Sequence, residues 1–109
     1  MRLEDAEVIS VCGAGAPTLS AKLPPFFIKR GRLATQCRIE TGATLDDELF
    51  DCVRKLAQRE SKVVVLEFKA LTMGDFEVIA RDSDVVIFAD DEKGIVIAAE
   101  VLGVLRVQD

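Results

Sequence analysis

Glu67, Phe68 and Lys69 close a strand-like apolar run, VVVLEFKAL at residues 63 to 71, and an acid, any residue and a lysine placed there can do phosphate chemistry. The carboxylate would share a divalent metal with a second acid, and the ammonium would stabilise the attacking hydroxide or the charge developing on phosphorus. That chemistry requires an upstream Asp on a neighbouring strand, close to Glu67. The nearest candidates, Asp46, Asp47 and Asp51, fall on a segment that reads as helix. By strand alternation, Val63, Val65 and Glu67 share one face and Val64, Leu66 and Phe68 the other, with Glu67 and Lys69 emerging where the strand leaves the core.

The Glu67 and Lys69 pair resembles that of the metal-dependent PD-(D/E)xK nucleases, and the resemblance implies a nuclease that uses both residues. No Pro-Asp occurs in the chain, and short E-x-K strings arise readily at 30% charged residues. A second candidate is VCGAGAPTLS, residues 11 to 20. A cysteine that ends a strand before a glycine-rich turn can have its thiolate stabilised by backbone N–H groups that also cradle a phosphate. Cys12, Gly15 and Thr18 resemble the phosphocysteine loop of the sugar phosphotransferase IIB domains over fewer than ten residues, which implies a phosphate-binding Cys12 loop. Pro24 and Pro25 limit any helix after this turn to about one and a half turns. The related low-molecular-weight phosphatase loop has an arginine six residues after its cysteine, where this chain has Thr18. By themselves these residues read as a Gly-rich hairpin turn beside a buried Cys.

Charge layout covers more of the chain. Residues 1 to 39 carry six basic and three acidic side chains, and residues 40 to 109 carry eight and sixteen, so an acidic protein of net charge −5 has one basic part. No acid occurs between Val8 and Ile39, and Lys22, Lys29, Arg30, Arg32 and Arg38 surround Pro24, Pro25, Phe26 and Phe27. A basic, Pro- and Phe-bearing edge suggests a recognition surface. The acidic remainder would repel an extended polyanion, so a protein partner or a second copy fits better than nucleic acid. The bland alternative is a set of solvated charges with no partner.

Composition removes several chemistries. The absence of histidine excludes His-based triads, His-ligated zinc and an imidazole base. Cys12, Cys37 and Cys52 lack C-x-x-C spacing and suggest neither a disulfide framework nor a zinc site. With no Trp or Tyr, base stacking would fall to six Phe that a small core needs. The Asp90, Asp91, Glu92 run lacks the spacing of an EF-hand, so no metal is assigned, and nothing calls for a cofactor. No apolar run approaches the roughly 20 residues of a membrane span and the N-terminus lacks the pattern of a signal peptide, which points to a cytoplasmic protein with no membrane partner.

The 109 residues suit a single domain, 1–109. A strand is expected through Val8 to Cys12, an edge or loop at Pro24 and Pro25 leading into an extended run at Phe26 to Lys29, and a hairpin turn at 29 to 32 into the strand LATQCRIE. One amphipathic helix is expected at about 44–60, with Thr44 as N-cap, acids in its first turn, bases near its end, and Leu45, Leu49, Cys52, Val53 and Leu56 as its apolar stripe. Residues 75 to 81 fit an alternating strand or a short helix, with the strand favoured. SDVVIFADDEKGIVIAAEVLGVL reads as a hairpin turning at 90 to 94, with Gly103 marking a bulge or bend. A helix at 94 to 106 conflicts with the β-branched residues there. The expected fold is α+β: a two-layer domain with a largely antiparallel sheet and one long helix packed on one face. Its expected role is a small non-enzymatic binding or regulatory domain, homo-oligomeric through the basic edge at 22 to 38.

Overall fold

The computed structural model describes residues 5–40, 45–68, 73–89, 95–100 and 103–108. The elements run β1 (Val8–Cys12), α1 (Ala16–Ile28), β2 (Leu33–Ile39), α2 (Asp47–Glu60), β3 (Lys62–Phe68), α3 (Met73–Asp82), β4 (Val85–Ala89), β5 (Ile95–Glu100) and β6 (Gly103–Gln108). They form one sheet of order β2-β3-β1-β4-β5-β6. Its first four strands are all parallel, and β5 and β6 extend it antiparallel from β4. This corrects the expected antiparallel sheet with one helix. Among the described residues there are three helices, and they cover both faces.

The two cores show the layering. On one face Ala16, Leu23 and Phe27 of α1 pack with Ile9, Val11, Val63, Val65, Val85 and Ile87. On the other, Phe50 and Ala57 of α2 and Ile79 of α3 pack with Val8, Cys12, Val64, Leu66, Phe68 and Val86. The all-buried runs of β1 and β3 follow from this double cover, because a strand between two helical layers needs apolar residues at every position.

Helix α1 overturns the expected extended segment. Pro17 sits in its first turn, where a missing N–H leaves no bond unmade. Pro24 and Pro25 lie inside the helix, yet Ala16, Ser20, Leu23 and Phe27 repeat at helical spacing and are all buried, so packing outweighs two lost backbone bonds. The helix ends by donating Lys29 N–H to Pro25 O at 3.1 Å, and Gly31 takes φ +79° to turn into β2. The 29–32 turn therefore joins a helix to a strand rather than closing a hairpin.

Helix α2 begins at Asp47 with Asp46 as N-cap, its carboxylate accepting from Leu49 N–H at 2.9 Å; the expected cap Thr44 lies outside the described residues. Residues 73–82 are helical, not the favoured strand, and α3 reaches the core with the fully buried Ile79 and the partly buried Val78. The hairpin expected after residue 83 is present as β4 and β5, from Val85 opposite Glu100 to Ala89 opposite Val96. Its turn at 90 to 94 lies outside the described residues. Gly103 opens β6, opposite Glu100.

At the lower end of the sheet Asp84 ties three pieces together. Its Oδ2 accepts from Glu7 N–H at 2.8 Å and Val8 N–H at 3.1 Å, and Arg54 of α2 grips both carboxylate oxygens at 3.0 and 3.1 Å. Burial works against the charge of Asp84, but Arg54 and the two backbone donors more than offset it and hold the carboxyl below its ordinary range.

Candidate functional site

Glu67 lies where β3 meets β1 and β2, with Val11 and Arg38 as its register neighbours. Its side chain is fully buried on the α1 face. A carboxylate there is tolerated only if it is bonded and its charge answered. Ser20 of α1 donates to Oε1 at 2.8 Å, Gln36 approaches the same oxygen at 3.4 Å and Ser20 Oγ at 2.8 Å, and Arg38 Nε donates to Oε2 at 2.7 Å. Both carboxylate oxygens are thus engaged by the protein's own donors.

This bears directly on phosphate chemistry at Glu67. Its strand neighbours supply a valine and an arginine rather than a second carboxylate. Asp46, Asp47 and Asp51 belong to α2, which packs on the opposite face of the sheet. Among the described residues no cluster of three or more acidic or thiol side chains is placed to hold a metal. Lys69 lies outside the described residues.

The Cys12 turn is built for contact with β4. Gly13 has φ +101°, and a Cβ there would lie 2.5 Å from Ala89 O, so only glycine fits. Gly15 N–H then donates to the same oxygen at 3.1 Å. The turn does lead into a helix, a longer one than the proline pair implied, but Cys12 itself is 2% exposed. Burial pushes its thiol up to about 12, so the buried site favours the neutral thiol over the thiolate.

The basic segment is divided by the fold. Phe27 is wholly buried in the α1 core and supports the surface from beneath. Phe26 is half-buried and stands edge-on to it with ring centres 5.2 Å apart. Arg30 lies 3.6 Å over the Phe26 ring and also bonds Phe26 O at 3.0 Å. Arg32 bonds Ala6 O at 2.9 Å, and Arg38 serves Glu67 while its side chain remains half exposed. Lys22 and Lys29 are exposed on α1 and at its C-cap.

Two apolar residues that charge reading passed over belong to the same edge. Ile28 and Leu33 are 58% and 65% exposed, the large hydrophobics left outside the core among the described residues. They flank the Lys29 to Arg32 turn. Among the described residues strand β2 pairs with β3 alone, so along its seven residues one side carries backbone donors and acceptors with no described strand opposite.

Shallow grooves elsewhere bring no such convergence. One of about 330 Å³ between α2 and α3 is lined by Asp47, Phe50, Asp51, Arg54 and Asp82, whose charges are largely paired with Asp84 and Arg81. No helix among the described residues is long and apolar enough to cross a membrane. The fold defines a three-layer domain with a parallel four-stranded heart, and no known protein family, curated protein or solved structure matches the chain.

Proposed function

We propose that the protein is a cytoplasmic, non-enzymatic interaction domain that assembles through the basic edge formed by the C-terminal half of α1, the 29–32 turn and β2. One observation carries the reading: the exposed large hydrophobics Ile28 and Leu33 both lie on this edge, at the edge strand of the described sheet and among Lys29, Arg30 and Arg32. Apolar side chains provide the gain on contact, and the surrounding cations set orientation and on-rate more than affinity.

Light scattering across a concentration series tests it. The wild-type chain is expected to exceed monomer mass at high concentration, and Arg30→Glu combined with Leu33→Asp to return it to monomer without lowering its melting temperature. A chain that stays monomeric at every practical concentration would contradict the proposal.

A further inference from the structure

Resting on that reading, we infer that the partner at this edge is a second copy of the chain, paired β2 to β2 antiparallel about a twofold axis at Gln36, so that two six-stranded sheets become one. The sequence of the edge supports this register. Residues 32 to 40 read RLATQCRIE, and folding the strand back on its copy at Gln36 sets Arg32 opposite Glu40, Leu33 opposite Ile39, Ala34 opposite Arg38 and Thr35 opposite Cys37. Each end closes with opposite charges, and apolar residues sit next to them.

Faces agree as well. Gln36 and Arg38 bond to Ser20 and Glu67 on the α1 side, and Ala34 packs there too, so the even-numbered residues share that face. Ile39 packs on the α2 side with the odd-numbered set. A twofold perpendicular to the sheet opposes residues of like parity, so Leu33, exposed in one chain, meets Ile39 of the other on one continuous face.

The neighbouring registers are worse. Sliding the copies by two residues one way sets Arg32 against Arg38, a like-charge opposition. Sliding them the other way sets Glu40 against Ala34 and loses the terminal charge pairing. Only the Gln36-centred register uses all seven strand residues and opposes no like charges. Arg32 keeps the bond from its Nη1 to Ala6 O, and its charge faces Glu40 of the copy across the strand end.

Cysteine placement makes the register testable. Directly opposed antiparallel residues have Cα separations of about 4.5–5.5 Å, within the span of a disulfide. Cys37 is exposed and free, Cys52 is exposed and is replaced by Ser throughout, and Cys12 is buried. In the Cys52→Ser background, Thr35→Cys is expected to give a covalent dimer under mild copper-phenanthroline oxidation, with a peptide linking position 35 of one chain to Cys37 of the other. Cys37 alone, and Thr35→Cys with Cys37→Ser, are expected to link at least tenfold more slowly. Glu40→Arg, which touches no described contact, is expected to weaken the dimer at least threefold by facing Arg32, and adding Arg32→Glu to restore it.

A dimer that forms and depends on Arg30 and Leu33 but yields no 35-to-37 link overturns the pairing while the interaction reading stands. A Cys37-to-Cys37 or 35-to-35 link as the main product overturns the register. Monomer at every concentration overturns both. A monomer whose edge captures a different, acidic protein overturns the second copy alone.

Discussion

Strands β2 and β3 are paired residue against residue from Leu33 and Lys62 to Ile39 and Phe68, yet they are opposites. In β3 every residue from Val63 to Phe68 is buried, and in β2 none is. The difference comes from position. Strand β3 has β1 and β2 at its sides, α1 on one face and α2 on the other, so any polar group in it must be satisfied internally. Among the described residues strand β2 has one neighbouring strand and the cover of α1, and no strand lies at its other side. Arg38 and Glu67 show the consequence as a pair: the buried acid depends on the base, whereas the base is half in water. Strand β3 is enclosed on every side, and β2 is the edge at which association is proposed.

The largest expected effect is therefore in β3. Leu66→Ala empties a fully buried position and is expected to cost about 2–5 kcal/mol in chemical denaturation, whereas Thr35→Ala on β2 should stay within about 0.5 kcal/mol. Comparable losses at the two sites would remove the contrast. Next in size, Arg38→Ala leaves the Glu67 carboxylate buried without its cation and is expected to cost about 1.5–3 kcal/mol. Glu67→Gln combined with it should recover part of that loss, and a double mutant no more stable than Arg38→Ala alone would argue against the ion pair.

A smaller effect is expected at the lower end of the sheet. Asp84 has a folded-state pKa below its unfolded value of about 3.9, so its contribution is fully present above about pH 4 and declines as pH falls through the folded value. Asp84→Asn should lower stability at pH 7 by about 1–2 kcal/mol and flatten the fall in stability at acid pH. An unchanged acid profile would show that Arg54 and the Glu7 and Val8 amides do not favour the charged form.

Much of the strand pattern was legible, because β1, β2, β3 and the β4–β5 hairpin each announce themselves by β-branched residues between turn signals. The parallel sheet was not. Read as helix breakers, Pro24 and Pro25 hide α1, and residues 75 to 81 fit an alternating strand, so successive strands lie close in sequence and antiparallel pairing follows; a parallel pair needs a crossover of a dozen or more residues. The signal for α1 was the spacing of Ala16, Ser20, Leu23 and Phe27. Glu67 drew attention through Lys69, but its partners Ser20, Gln36 and Arg38 come from two other elements that only folding brings together. The basic edge was visible as an acid-free stretch, although Phe27 belongs to the core and the exposed large apolar residues beside it are Ile28 and Leu33.

The availability of β2 is tested most directly by amide hydrogen exchange at residues 33 to 39, measured at low and high protein concentration. Exchange in β2 is expected to slow by at least fivefold as concentration rises, while the amides of 63 to 68 in β3, already bonded on both sides, stay unchanged. If β2 exchanged at the same rate at both concentrations while the mass of the protein rose, association would lie elsewhere and the account of this edge would be wrong.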